Sequence, residues 1–136
     1  MYQLIKPLVL TIFLSLSGYA AQNTMNDLYS DFQLTRIQLK STAFTAKSFT
    51  IQFKAIDQQL QKKYAAYKAL EKEELTSKGN QMSYDLELLE PLRTLADSNL
   101  TKDDCQQSLH NNDLNFNNDD QQDNLTIKNI IKTVCK

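Results

Sequence analysis

Apolar and small side chains recur at alternating intervals of three and four along one stretch of the chain. They are Met25, Leu28, Phe32, Thr35, Leu39, Thr42, Ala46, Phe49, Phe53, Ile56, Leu60, then Tyr67 and Leu70 after the polar Lys63. Such spacing keeps one stripe aligned along a helix that packs against a second helix. Leu34, Ile37, Phe44 and Ile51 fall outside the stripe, so the segment from about residue 34 to residue 53 is apolar on more than one side. A solvent-surrounded coiled-coil arm would not carry that second set.

No glycine or proline stands between Asn23 and Lys78, which permits very long helices. The hydroxyl-rich run from Ser41 to Ser48 is the expected interruption, because such side chains compete for backbone partners. The pattern therefore predicts one helix over about 24–41 and a long second one over about 46–77. An unbroken helix is the alternative. It would extend roughly 80 Å at 1.5 Å per residue and would have to protrude or dimerise.

Lys78-Gly79-Asn80 reads as a turn, with Gly79 just past a helix C-terminus. A third helix is expected over about 84–97, with Ser83 as N-cap and Tyr84, Leu88, Leu92 and Leu95 along one side. Pro91 either kinks that helix or moves its start to Leu89–Pro91, since proline fits best in a first turn. Thr101 and Asp104 have capping-box spacing for a fourth helix, and Ile127, Ile130, Ile131 and Val134 mark a fifth. The fold expected is all-α: a small bundle of four to five helices with a long central helix and a C-terminal helical hairpin.

The first residues change where this bundle has to work. Lys6, the apolar run Leu8–Leu14 and the small residues Gly18 and Ala20 have the layout of a secretory signal peptide. Residues 1–20 are expected to be removed, leaving 21–136 as one helical domain in the periplasm or outside the cell. The apolar run is shorter than the roughly 20 residues that span a bilayer, so no stable membrane insertion is expected after cleavage. In an oxidising compartment Cys105 and Cys135, the only two cysteines, read as one disulfide. It would clamp the last two helices as an antiparallel pair and stabilise the fold by roughly 3–4 kcal/mol.

Composition adds exclusions. The formal net charge is −1, which makes no case for nucleic acid. That total conceals an asymmetry: residues 36–80 carry nine basic and four acidic side chains, and residues 81–136 five and ten. Internal attraction between the halves is expected. Lys40, Lys47 and Lys54 recur every seven residues and would share a face suited to an acidic protein. Tyr64 and Tyr67 are read as ending the core with hydroxyls in water, and Glu71, Glu73 and Glu74 as a solvated acidic run.

The polar stretch 111–124 is read as a linker between the last two helices. Asp113, Asn115 and Asn117 have the alternating spacing that opens an EF-hand calcium loop, but Asn118 replaces the usual glycine and Asn124 the bidentate glutamate. Phe116, isolated among polar residues, either anchors the linker or meets a partner. With Asp113, Asp119 and Asp120 it forms the first candidate binding site; the three lysines form the second. The lone His110 and a paired set of cysteines assemble no nucleophilic or zinc chemistry, so neither an enzyme nor a cofactor is expected. What remains is recognition of another exported protein, as an inhibitor or immunity protein for an enzyme or toxin. A periplasmic holdase with a long-helix client surface is the alternative.

Overall fold

The computed structural model describes residues 2–72, 76–115 and 121–136, with side chains from Ala20 onward. Six helices and no strand occupy the described residues: α1 (Tyr2–Ser41), α2 (Phe49–Leu70), α3 (Ser77–Leu88), α4 (Glu90–Ala96), α5 (Lys102–Leu114) and α6 (Gln121–Val134). The all-α bundle is as expected, with one helix more than the four to five predicted. α1 folds against α2, α2 also packs on α3 and α4, and α4, α5 and α6 follow one another in contact.

The interruption after Ser41 has a chemical cause that can be followed bond by bond. Ser41 and Thr42 turn their hydroxyls back to the carbonyls of Ile37 and Gln38, at 2.8 and 2.7 Å. Thr45 and Ser48 then bond reciprocally: the Thr45 amide donates to Ser48 Oγ at 3.0 Å and the Ser48 amide to Thr45 Oγ1 at 3.1 Å. Local hydroxyls thus take over donors that a continuous helix would use. Phe44 turns into the core, its ring 5.5 Å from that of Phe49 in an edge-on contact, and Phe49 stacks on Phe53 at 5.4 Å. The stripe positions Phe32, Phe49, Phe53 and Leu60 are fully enclosed. The unbroken-helix alternative is ruled out by this turn.

α2 ends at Leu70, seven residues before the expected boundary. Glu71 adopts extended backbone (ψ 123°) and its carboxylate accepts from Thr76 Oγ1 at 2.8 Å and the Thr76 amide at 3.1 Å. Thr76 N-caps α3, its Oγ1 accepting from the Gly79 amide at 2.9 Å. Lys78, Gly79 and Asn80 therefore form the first turn of a helix, not the turn expected. Gly79 is used for close approach: a Cβ there would strike the Glu71 carboxylate and lie 3.1 Å from Thr76 Oγ1 and 3.2 Å from the Tyr67 ring. Tyr67 also departs from expectation, since its hydroxyl bonds Thr76 Oγ1 at 2.6 Å inside the protein instead of meeting water. Glu73 and Glu74 lie outside the described residues.

The predicted third helix is two helices. α3 closes at Leu88, and α4 begins at Glu90 with Pro91 in its first turn, where a missing amide costs nothing. A short connection, in which Leu100 takes a left-handed φ of 55°, leads to α5. Thr101 and Asp104 form the full capping box, with bonds of 3.0 and 3.1 Å. The backbone and hydroxyl of Thr101 hold the Asp104 carboxyl below its ordinary pKa. Cys105 near the start of α5 is joined to Cys135 just beyond α6, with Cα atoms 6.0 Å apart. The C-terminal hairpin is clamped as predicted.

Candidate interaction surface

Two ion-pair networks lock the helices together and decide which charges remain for other work. Between α2 and α4, Asp57 receives two bonds from Arg93, Nε and Nη2 both at 2.8 Å, and a third from Gln61 at 2.8 Å. Arg93 also pairs with Glu90 one turn earlier. The Asp57 carboxylate, as acceptor, raises the Arg93 pKa above its ordinary value. Between α1, α3 and α6, Arg36 lies 3.2 Å from Asp85 and 2.9 Å from Asp123, and Lys40 also pairs with Asp123. Burial pushes the Asp85 carboxyl up against the opposing pull of Arg36. These groups, with Leu39, Leu88 and Ile127, line a small pocket of about 20 Å³. It has room for about one water.

These contacts dismantle the basic face expected from Lys40, Lys47 and Lys54. Heptad alignment requires one helix, and the turn puts Lys40 on α1, Lys47 in the connection and Lys54 on α2. Lys40 is committed to Asp123, and Lys54 lies 3.0 Å from Asp97. Lys47 alone is exposed with no ion pair among the described residues. Part of the charge asymmetry is therefore spent inside the molecule: Arg36, Lys40 and Lys54 of the first half meet Asp85, Asp123 and Asp97 of the second.

The polar linker is also shorter than expected. Asn111–Leu114 complete α5 and Gln121–Asn124 open α6. Asn112 and Asn124 are completely buried, each amide donating to backbone across the hairpin: Asn112 to the Asn124 carbonyl at 3.3 Å, Asn124 to the Asn115 carbonyl at 3.1 Å. Their Oδ1 atoms have no protein partner. The sequence did contain a signal, since Asn112 continues the spacing of Cys105 and Ser108, and Asn124 that of Ile127, Ile131 and Val134. Enclosure of Asn124 also removes the second of two glycosylation sequons from a modifiable surface, leaving the exposed Asn99.

Of the first candidate site, Asp113 stands exposed in the last turn of α5, 3.9 Å from Lys128 Nζ. Asn115 is the C-cap of α5 with helical φ and ψ of −85° and −5°. Phe116, Asn117, Asp119 and Asp120 lie outside the described residues. Among the described residues no group of three His, Cys, Asp or Glu side chains is placed to hold a metal. Cys105 and Cys135 are consumed by their bond, and His110 is exposed on α5.

Two grooves that sequence reasoning missed meet at the α3–α4 elbow. One, of about 470 Å³, is walled by Tyr64, Ala65, Leu86, Glu87, Glu90 and Arg93. The other, of about 310 Å³, is walled by Glu87, Glu90, Pro91, Asn111, Leu114 and Asn115. Glu87 and Glu90 border both, so the depressions adjoin at the elbow. No sequence period predicts this surface, because its walls come from α2, α3, α4 and α5.

Among the described residues no helix is long and apolar enough to cross a membrane. Comparison with known proteins finds no family model, no curated protein and no solved structure that matches the chain.

Proposed function

We propose that this protein is an exported helical binding domain that recognises another protein in the periplasm or the extracellular space, as an inhibitor or immunity protein does. The observation that carries this reading is a set of large apolar side chains left in water on a disulfide-braced body: Leu34 (64% exposed), Ile37 (57%), Ile51 (77%) and Leu114 (70%). Side chains of this kind gain most from burial against a partner, and a body whose helices are already locked loses little freedom on binding. The signal-peptide layout of residues 1–20 supports the compartment, and the disulfide suits an oxidising one.

Affinity capture from periplasmic extract and culture supernatant tests the reading. One protein retained at one-to-one stoichiometry is expected, and capture of nothing above a tag-only control would end it. N-terminal sequencing of the exported product should begin at Ala21. The holdase reading draws on Leu34 and Ile37 of α1 and Ile51 of α2, which lie away from the core. It predicts instead comparable binding to many unrelated unfolded chains, lost in Ile37→Ser and Ile51→Ser.

A further inference from the structure

We propose that the groove across the α3–α4 elbow receives a basic amphipathic segment of the partner protein, an inference that rests on the protein-binding reading above. The argument is one of charge and shape together. Arg93 is the sole cation among the groove's lining residues, and its charge is already engaged by the two-bond contact with Asp57 and by Glu90. Glu87 has no ion-pair partner among the described residues, and Glu90 remains 64% exposed despite its pairing. The groove therefore keeps a surplus of negative charge at its centre.

Apolar surface lies on both sides of that centre. Tyr64 and Leu86 wall one end, and Leu114, which points into water, walls the other. A segment that spans the elbow would place apolar anchors at its two ends and lysine or arginine between them. That is the pattern of a basic amphipathic helix laid in a groove. Burying Leu114 and the edge of Tyr64 supplies contact area, while Glu87 and Glu90 set the register and reject acidic sequences.

The test uses the full folded chain and a fluorescent Lys/Leu amphipathic peptide of about 18 residues, roughly 27 Å long as a helix. Its Glu/Leu counterpart is the control. Fluorescence anisotropy should show one-to-one binding of the Lys/Leu peptide that weakens as ionic strength rises from about 0.05 to about 0.5 M. Glu87→Arg should weaken it about tenfold and Leu114→Ser several-fold. Asp103→Arg, the same charge change on the first turn of α5 away from the groove, should leave it within about twofold. Circular dichroism confirms that each variant is folded.

No binding of the Lys/Leu peptide, equal binding of the Glu/Leu peptide, or equal weakening by Asp103→Arg would overturn the proposal. So would self-association of the unmodified chain that Glu87→Arg abolishes, since the groove would then belong to a second copy. Captured partner that Glu87→Arg and Leu114→Ser retain in full would overturn the groove assignment while leaving the protein-binding reading intact. Peptide binding with no captured partner would instead remove that reading.

Discussion

The α1–α2 pair and the α5–α6 pair are both helical hairpins, yet they are held by different physics. In the first, Phe32, Phe49, Phe53 and Leu60 are wholly enclosed and two aromatic contacts continue the packing across the turn. In the second, apolar enclosure is concentrated on one helix, at Ile127, Ile131 and Val134 of α6. The facing α5 contributes the buried Cys105, Ser108 and Asn112 instead. Ser108 spends its hydroxyl on the Pro91 carbonyl at 2.8 Å, and the disulfide at one end and the amide bonds from Asn112 to the Asn124 carbonyl and from Asn124 to the Asn115 carbonyl at the other hold the hairpin. A pair with little apolar surface to share needs covalent and polar clamps, one at each end.

The largest effect that would break this comparison is expected from Phe53→Ala. A fully buried ring lost from the first pair should cost about 3–5 kcal/mol, read as a lowered denaturant midpoint of the whole cooperative transition. Replacing both cysteines by serine should cost about 3–4 kcal/mol. Hydrogen exchange should locate that loss in α5 and α6, with the amides of α1 and α2 protected as before. Uniform loss of protection would show that the two pairs are not separately held.

Asn124→Ala ranks next, at about 1–3 kcal/mol, because the Asn115 carbonyl loses its buried donor. A change near zero would mean that water replaces the amide. The smallest effect concerns acid. Hydrogen bonds from Lys68 and Thr76 lower the Glu71 carboxyl from 4.5 to about 2. Since the folded value lies below the unfolded one, its contribution is complete above the ordinary value and is lost as pH falls toward about 2. Glu71→Gln should flatten that part of the acid-unfolding profile. Asp85, raised by burial, works in the opposite sense: its contribution falls as pH rises through its folded value, so it cannot account for an acid-side loss.

Much of the helical content was legible because its causes are local. Ser41–Ser48 carries the hydroxyls that end α1, Thr101 and Asp104 satisfy each other within one turn, and the period of Ile127, Ile131 and Val134 is read directly. The end of α2 was not legible. Glu71, Thr76, Gly79 and Tyr67 cap one another only after the chain has turned, so none of them signals a boundary alone. Among the candidate site residues, the lysines were parted for a related reason, falling on α1, the connection and α2. Their seven-residue spacing is real, but Asp123 and Asp97, distant in sequence, claim two of them.

The chain by itself determined what depends on neighbours along it: an all-α fold, the break after Ser41, the capping of α5 and the pairing of its only two cysteines. Tertiary structure alone decided which polar groups were consumed and which were left over. Asn112 and Asn124, polar in sequence, ended inside the hairpin, while Leu114, apolar in sequence, ended in water beside Glu87 and Glu90. Helix period and capping act over a few residues, whereas burial and charge neutralisation are settled by whichever distant element arrives opposite.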